Sequence, residues 1–275
     1  MKKQIFLAAV AATFTFFTAC KKDTAATTYE ESVSTTQELT VHQDQVQAAD
    51  AEITYQADER GGGDSTCPTR TWLQPKGTYP NTLTIDYGTT GCVGADLRVR
   101  KGKVIVNFTG GKVMTVAGAT RVVTHSNHFV DDIKVEGTKT LTNNGLNASG
   151  QPNWTRTVDN HKLTFPDGKV AMWSSTQSIV MTAGYATPLN VLDDVFAISG
   201  SSSGTNRNGK TFATVTTTPL VKNATCPWFV SGIKTLTLNG DKTVTINYGN
   251  GTCDKKATIT LPNGTTKEVT IKRWW

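Results

Sequence analysis

The chain has 275 residues, of which 37% are hydrophobic and 18% are charged, and its formal net charge at pH 7 is +6. This apolar fraction excludes a chain that is disordered throughout, and no apolar run after residue 20 reaches the roughly 20 residues of a membrane-spanning helix. Threonine, valine and glycine are abundant, while long stretches of strong helix formers are absent. This composition excludes a mainly helical protein and favours a β-sheet protein.

Residues 1–19 have the features of a secretory signal peptide, with two lysines, then an apolar segment, then small residues. Cys20 follows Thr18-Ala19, so the segment resembles a bacterial lipobox, in which the cysteine becomes the first mature residue and carries lipid such as palmitate. Phe17 stands where that motif usually has leucine. The alternative is an ordinary signal peptide that ends near an unmodified Cys20.

The next three residues, Lys21-Lys22-Asp23, resemble the charged tag that directs lipoproteins of the Bacteroidota to the outer face of the outer membrane. The predicted location is therefore the outer membrane, reached through a lipid on Cys20. Exposure at the cell surface is the favoured interpretation, and the periplasmic leaflet is the alternative.

Residues 20–66 are predicted to form an acidic tether. The segment holds ten acidic and three basic residues, few large apolar side chains, and much threonine, glutamine and alanine. Such a segment cannot bury enough apolar surface to fold alone, and Gly61-Gly62-Gly63 would act as a flexible joint. A short helix over residues 43–59, with Val46 and Ile53 on one stripe, is the equally weighted alternative.

Charge is divided unevenly between this tether and the rest of the chain. The tether has a net charge of −7, so residues 67–275 carry +11 once Lys2 and Lys3 are counted. A basic body is expected to attract anionic partners such as acidic glycans or lipopolysaccharide, without specific recognition of nucleic acid. Other envelope proteins are further candidate partners. The alternative is that the lysines occupy turns and edge strands, where they prevent sheets from aggregating.

Residues 67–275 are predicted to form an all-β body, an antiparallel meander of about ten or more strands. The sequence leaves open whether this meander is one large curled sheet or a sandwich. Dipeptides that favour positive φ punctuate the predicted strands, at Lys101-Gly102, Asp167-Gly168, Asn239-Gly240 and Asn263-Gly264. No ten-residue helical stripe separates the strands, which excludes a βαβ fold.

Four cysteines lie in this body, and an even number in an oxidising compartment predicts disulfide bonds. Cys226 and Cys253 are equally distant from the turn Asn239-Gly240, and Cys67 and Cys92 are equally distant from Tyr79-Pro80. We therefore predict the pairs Cys67–Cys92 and Cys226–Cys253, in related hairpins near residues 67–108 and 226–273. A zinc site would need close pairs such as Cys-x-x-Cys, which the chain lacks.

Three motifs carry a resemblance to a known group of proteins. The triplet Cys226-Pro227-Trp228, residues 247–254 and residues 206–211 together resemble uncharacterised lipoproteins of the Bacteroidota. The resemblance spans most of residues 67–275. It implies a secreted β protein and no established activity.

Two patterns match catalytic motifs in an unsuitable context. Residues 204–211 match the phosphate-binding pattern G-x-x-x-x-G-K-[ST], and residues 200–204 match the nucleophile pattern G-x-S-x-G. Both motifs need a helix after the loop, whereas a β-branched run ended by Pro219 follows. We interpret the first as a hairpin turn and the second as a Ser/Gly loop.

Pairs of histidines and of aspartates are candidates for a metal site or for catalysis. His125 and His128 would suggest a metal only if a turn between them brought the rings together, because residues three apart in a strand point to opposite faces. Asp131-Asp132 and Asp193-Asp194 are the carboxylates that a glycoside hydrolase would use, or, for the second pair, calcium ligands. Neither pattern is sufficient, so no catalytic residue, metal or cofactor is predicted.

Tryptophan rings that stack on sugars are the remaining candidates for a binding site. Trp72, Trp173 and Trp228 are expected in the core, and the candidates for glycan binding are Trp154, Trp274 and Trp275. The favoured function is a lipid-anchored cell-envelope protein with a non-enzymatic role in binding or assembly. The alternatives are a surface module that captures polysaccharide and a secreted hydrolase that uses the paired aspartates.

Overall fold

A computed structural model describes residues 24–58, 67–94, 97–240 and 242–271 of the chain. One helix, α1 (Thr24–Asp58), precedes fourteen strands. The strands are β1 (Thr69–Trp72), β2 (Asn81–Asp86), β3 (Cys92–Val93), β4 (Val99–Thr109), β5 (Thr120–Val130), β6 (Ile133–Leu146), β7 (Pro152–Thr164), β8 (Val170–Ala183), β9 (Val195–Thr205), β10 (Thr211–Asn223), β11 (Phe229–Leu238), β12 (Lys242–Asn250), β13 (Lys256–Thr260) and β14 (Thr266–Thr270). A 3-10 turn at Val191–Asp193 lies between β8 and β9.

All fourteen strands belong to one antiparallel sheet, which confirms the predicted all-β meander and selects a single curled sheet over a sandwich. The strands follow one another in chain order across the sheet, except that β3 is a short side strand paired with β4. Burial alternates along the strands, as in β2 and β11, because successive side chains point to opposite faces. One face is therefore the buried interior, where apolar and charged side chains lie, and the other carries many exposed or partly exposed threonines.

Three of the four predicted hairpin turns are present. Asp167-Gly168 joins β7 to β8, and Asn263-Gly264 joins β13 to β14. Asn239-Gly240 lies between β11 and β12, but Leu238 pairs with Lys242, so three residues separate the paired strands instead of two.

The predicted hairpin turn at Lys101-Gly102 is wrong. β4 runs through both residues as one strand, and its register against β5 shifts between Lys101 and Lys103. Gly102 has a φ of 75°, and a β carbon there would lie 1.9 Å from the carbonyl oxygen of Asn127. Positive φ serves a β-bulge as well as a turn, so the same dipeptide signal has two structural outcomes.

Both predicted disulfide bonds are confirmed. Cys67–Cys92 and Cys226–Cys253 each have Cα atoms 5.7 Å apart. The first joins the segment before β1 to β3, and the second joins the β10–β11 connection to the β12–β13 connection. Closing loops of this length is worth roughly 3 kcal/mol for each bond in the chain-entropy description, so the bonds stabilise both ends of the meander.

α1 differs most from the sequence prediction. It is 35 residues long, and most of its side chains between residues 35 and 46 are buried, including those of Thr36 and Gln43. Leu39 packs with a core cluster from the C-terminal strands, and Ile53 packs with a cluster from β2 and β4. The sheet therefore curls around the helix. An exposed tether and a short helix over residues 43–59 were equally weighted expectations. The helix is longer than expected and buried, because the inner face of the sheet supplies polar partners for it.

No helix among the described residues is both long and apolar enough to cross a membrane. The signal peptide, Cys20, the Gly61-Gly62-Gly63 joint and Trp274-Trp275 lie outside the described residues.

Candidate functional site

A row of charged side chains crosses the inner face of the sheet beneath α1. Arg121 on β5 pairs with Leu141 on β6, which pairs in turn with Arg156 on β7. Lys139 lies two residues before Leu141 and therefore shares its face. The side chains of the three cations are at most 6% exposed, so the sheet directs three positive charges into its interior.

Asp50 of α1 is the carboxylate that meets these cations. Its Oδ1 lies 2.7 Å from Nζ of Lys139 and accepts a hydrogen bond from Arg121, and its Oδ2 lies 3.4 Å from Nη1 of Arg156. Burial alone would raise the pKa of the Asp50 carboxyl, but the three cations hold it well below its usual range. Burial lowers the pKa of Lys139 to about 8, although the Asp50 charge opposes this change.

Two further carboxylates of α1 bind the sheet. Asp44 Oδ2 lies 2.7 Å from Nη2 of Arg98, and Glu38 accepts the backbone N–H of Arg207 at 2.9 Å. Together with Asp50, they pair the acidic helix with the basic body. Part of the charge asymmetry seen in the sequence is therefore satisfied inside the molecule.

The interior nevertheless keeps an excess of cations. Lys234 on β11 is 3% exposed, and burial, reinforced by the charge of Arg156, lowers its pKa to about 8. Asp50 is one carboxylate among Arg121, Lys139 and Arg156, so this part of the inner face has a positive potential.

A cavity of about 600 Å³ lies between the C-terminal half of α1 and the sheet. Its apolar wall comes from neighbouring strands β6 to β9 and consists of Leu141, Trp154, Ile179, Phe196 and Ile198. Its charged lining residues are Asp50, Arg121, Arg156, Asp194 and Lys222. The volume is within the range of small-molecule sites, which are typically apolar with a few placed polar groups.

All four histidines of the chain are buried or partly buried between α1 and the sheet. Nδ1 of His42 on α1 lies 3.0 Å from Nδ1 of His161 on β7, so one ring donates a hydrogen bond to the other. The rings of His125 and His128 on β5 are stacked, with centroids 5.3 Å apart. A bulge at Asn127, where φ is 45°, takes the place of the turn that would bring these two rings to the same side.

Burial disfavours the charged form of each of these imidazoles. It lowers the pKa of His42 and His128 to about 3 and that of His125 to about 4, and the pKa of His161 is also well below its usual value. No group of three or more His, Cys, Asp or Glu side chains among the described residues is close enough to hold a metal ion.

Comparisons with protein-family models, with curated protein sequences and with solved structures found no match to this chain. The resemblance to Bacteroidota lipoproteins therefore depends on the sequence motifs alone.

Trp154 does not have the exposed ring that the proposed role in glycan stacking requires. It is 3% exposed, and its Nε1 donates a hydrogen bond to the carbonyl oxygen of Val113 at 2.9 Å. The inner position follows from the alternation along β7, where Trp154 shares its face with Arg156 and Val158. The ring faces the large cavity instead of solvent.

The paired aspartates occupy two opposite ends of the strands. Asp131 and Asp132 form the β5–β6 turn, where the Asp131 carboxylate accepts the N–H of Val99 at 2.8 Å. Asp193 and Asp194 lie in the β8–β9 connection at the other end, where Asp193 accepts the Thr187 hydroxyl. Burial, together with the neighbouring Asp193, raises the pKa of Asp194. The two pairs are not brought together.

The two segments that match catalytic motifs lie in a turn and in a strand. Residues 206–210 form the turn between β9 and β10, where Gly209 donates its N–H to the carbonyl of Asn206, as expected. Residues 200–204 lie within strand β9, so the predicted Ser/Gly loop is wrong. The segment is paired on both sides, which explains its extended conformation despite its glycines.

The buried ion pairs of the interior were not identified from the sequence. They join Asp50 to Arg121, Lys139 and Arg156. One signal was available for the basic residues, because Arg121, Lys139 and Arg156 each stand two residues before an apolar residue of the buried face.

Proposed function

We propose that the protein is a non-enzymatic binding protein of the cell envelope that holds a small amphipathic molecule between α1 and the sheet. The cavity of about 600 Å³ carries this proposal, because a wall of five apolar side chains faces buried charged groups. Apolar contacts would supply most of the affinity, and the charged groups would orient the molecule.

Binding remains the favoured function, but the site is the cavity between α1 and the sheet instead of exposed tryptophan rings that stack on sugars. Trp154 contributes its ring to the wall of this cavity, so the same residue supports binding of an apolar group. The roles of Asp131 and Asp132 in a turn offer no support for hydrolysis.

Binding is tested with the secreted chain carrying Cys20→Ser and the neutral fluorescent probe N-phenyl-1-naphthylamine. We expect saturable fluorescence enhancement and a decrease of roughly tenfold or more in affinity when Ala51→Trp fills the cavity from the helix side. Ala148→Trp in the exposed β6–β7 connection is the matched control and should bind normally. Equal binding by wild type and Ala51→Trp would contradict the proposal.

We further propose that a lipid on Cys20 anchors the protein in the outer membrane. The signal-like residues 1–19, the small residues before Cys20 and the charged tag after it support this location. In a bacterial host, labelled palmitate should be incorporated into the wild type and not into Cys20→Ala. Equal labelling of both chains would contradict anchoring at this residue. Surface protease treatment of intact cells then distinguishes the two leaflets.

A further inference from the structure

A second cavity, of about 390 Å³, lies beside the larger one at the C-terminal end of α1. Thr54, Met114 and Arg121 line both cavities, so the two meet at these side chains. The two cavities are therefore adjacent, and a single elongated molecule that occupies both would lie against the Arg121 guanidinium.

The two cavities differ in charge. Lys76, Lys112 and Arg121 line the smaller cavity, and no carboxylate of the described residues lines it. In the larger cavity Asp50 and Asp194 offset part of the positive charge. The smaller cavity is thus the more favourable place for an anionic group.

Arg121 supplies an independent observation at the junction. Its Nη1 donates to the Thr54 hydroxyl at 3.3 Å, and its Nη2 donates to Asp50. These two contacts hold the guanidinium at the junction of the two cavities, where its charge attracts an anionic group.

Aromatic rings complete the smaller cavity. Trp72 and Phe108 are stacked with centroids 5.7 Å apart, and Tyr79 lines the same space. These rings give the part of a ligand next to its charged group an apolar surface, while the exposed Lys112 lies at the opening.

We propose that the two cavities form one site for an elongated amphipathic acid. Its apolar chain lies in the larger cavity, and its anionic head group lies in the smaller cavity against Lys76, Lys112 and Arg121. This inference rests on the proposed function and names the class of ligand.

The test compares oleic acid with oleyl alcohol, which have the same hydrocarbon chain and differ in the head group. Both compete with the neutral probe for the Cys20→Ser chain at about pH 8, where a carboxylic acid is ionised. We expect the acid to displace the probe at a roughly tenfold lower concentration than the alcohol. This preference should decrease at high salt.

The variant Lys76→Gln/Lys112→Gln removes two charges of the smaller cavity. It should lose most of the preference for the acid, measured as the ratio of the concentrations at which acid and alcohol displace the probe. The control is Lys169→Gln/Lys210→Gln, in which the same charge is removed from two exposed or partly exposed turns at the other end of the strands. The control should keep the preference, because those lysines do not line either cavity.

The outcomes separate this inference from the proposed function. Equal affinity for acid and alcohol, with the neutral probe still bound, would overturn the inference and leave internal binding intact. Preference for the acid that survives in the Lys76→Gln/Lys112→Gln variant would overturn the placement of the head group. Failure of every probe to bind would overturn both proposals.

Discussion

Replacement of Asp50 by asparagine is expected to lower the free energy of unfolding by about 3 to 5 kcal/mol. Asparagine has nearly the same shape as aspartate, so the packing of α1 is kept while one charge is removed. Arg121, Lys139 and Arg156 would then be buried beside one another with no carboxylate between them. Urea unfolding followed by circular dichroism measures the loss.

The matched control removes a carboxylate from an exposed pair. Glu268 lies 3.0 Å from Lys256, and both side chains are more than half exposed, so Glu268→Gln should change stability very little. If Asp50→Asn does not fold, the double variant Asp50→Asn/Lys139→Met should recover part of the stability, because it also removes a buried cation. Equal stability of Asp50→Asn and the wild type would contradict the assigned role.

Acidification from pH 7 to pH 4 is expected to unfold the protein, because the interior excludes protonated histidine. Histidine in an unfolded chain titrates near pH 6.5, whereas the folded pKa is about 3 for His42 and His128 and about 4 for His125. Below pH 6.5 the unfolded chain binds protons that the folded chain does not. The histidine contribution to stability is complete above pH 6.5 and decreases by about 1.4 kcal/mol per pH unit for each titrating histidine.

Neighbouring charges oppose protonation of three of these rings further. His161 faces His42 and Trp173, and the charge of Lys139 lowers its pKa. His128 is next to His125, and the charge of Arg100 also lowers its pKa. Lys139 acts on the pKa of His125 in the same direction, whereas burial alone lowers the pKa of His42.

The pH range separates the histidines from Asp50. The pKa of Asp50 is held below its usual 3.8, so its contribution is present above pH 3.8 and is lost only as pH falls further. The measurement is the unfolding free energy from urea titrations at intervals between pH 7 and pH 4. The variant His125→Gln/His128→Gln should show a shallower slope in this range than the wild type. Stability that stays constant down to pH 4 would contradict the prediction.

The strand pattern and the cysteine pairs could be predicted from the sequence because they depend on local information. Alternation of polar and apolar residues identifies β12 and β13, and Asn263-Gly264 fixes the turn that follows β13. Cys226 and Cys253 are close because both flank one hairpin. Each of these inferences needs only a short stretch of chain.

The interior could not be predicted in the same way, because it depends on residues far apart in sequence. The polar composition of α1 indicated exposure, since nothing in the helix itself shows that Arg121 and Arg156 point toward it. The sequence shows only that a turn between His125 and His128 would bring their rings together, and it does not show that Asn127 forms a bulge. Lys101-Gly102 likewise carries the same local signal in a bulge as in a turn.

The burial of α1 inside the sheet also constrains the order of folding. The side chain of Gln37 donates to the carbonyl of Thr270, which is 233 residues later in the chain, and Asn206 bonds Thr35 across 171 residues. The hairpins of the sheet, by contrast, connect neighbours in sequence. Because contacts of high sequence separation form slowly, α1 should reach its place after the hairpins have formed. During that delay the acidic helix and the basic inner face of the sheet are both exposed to solvent.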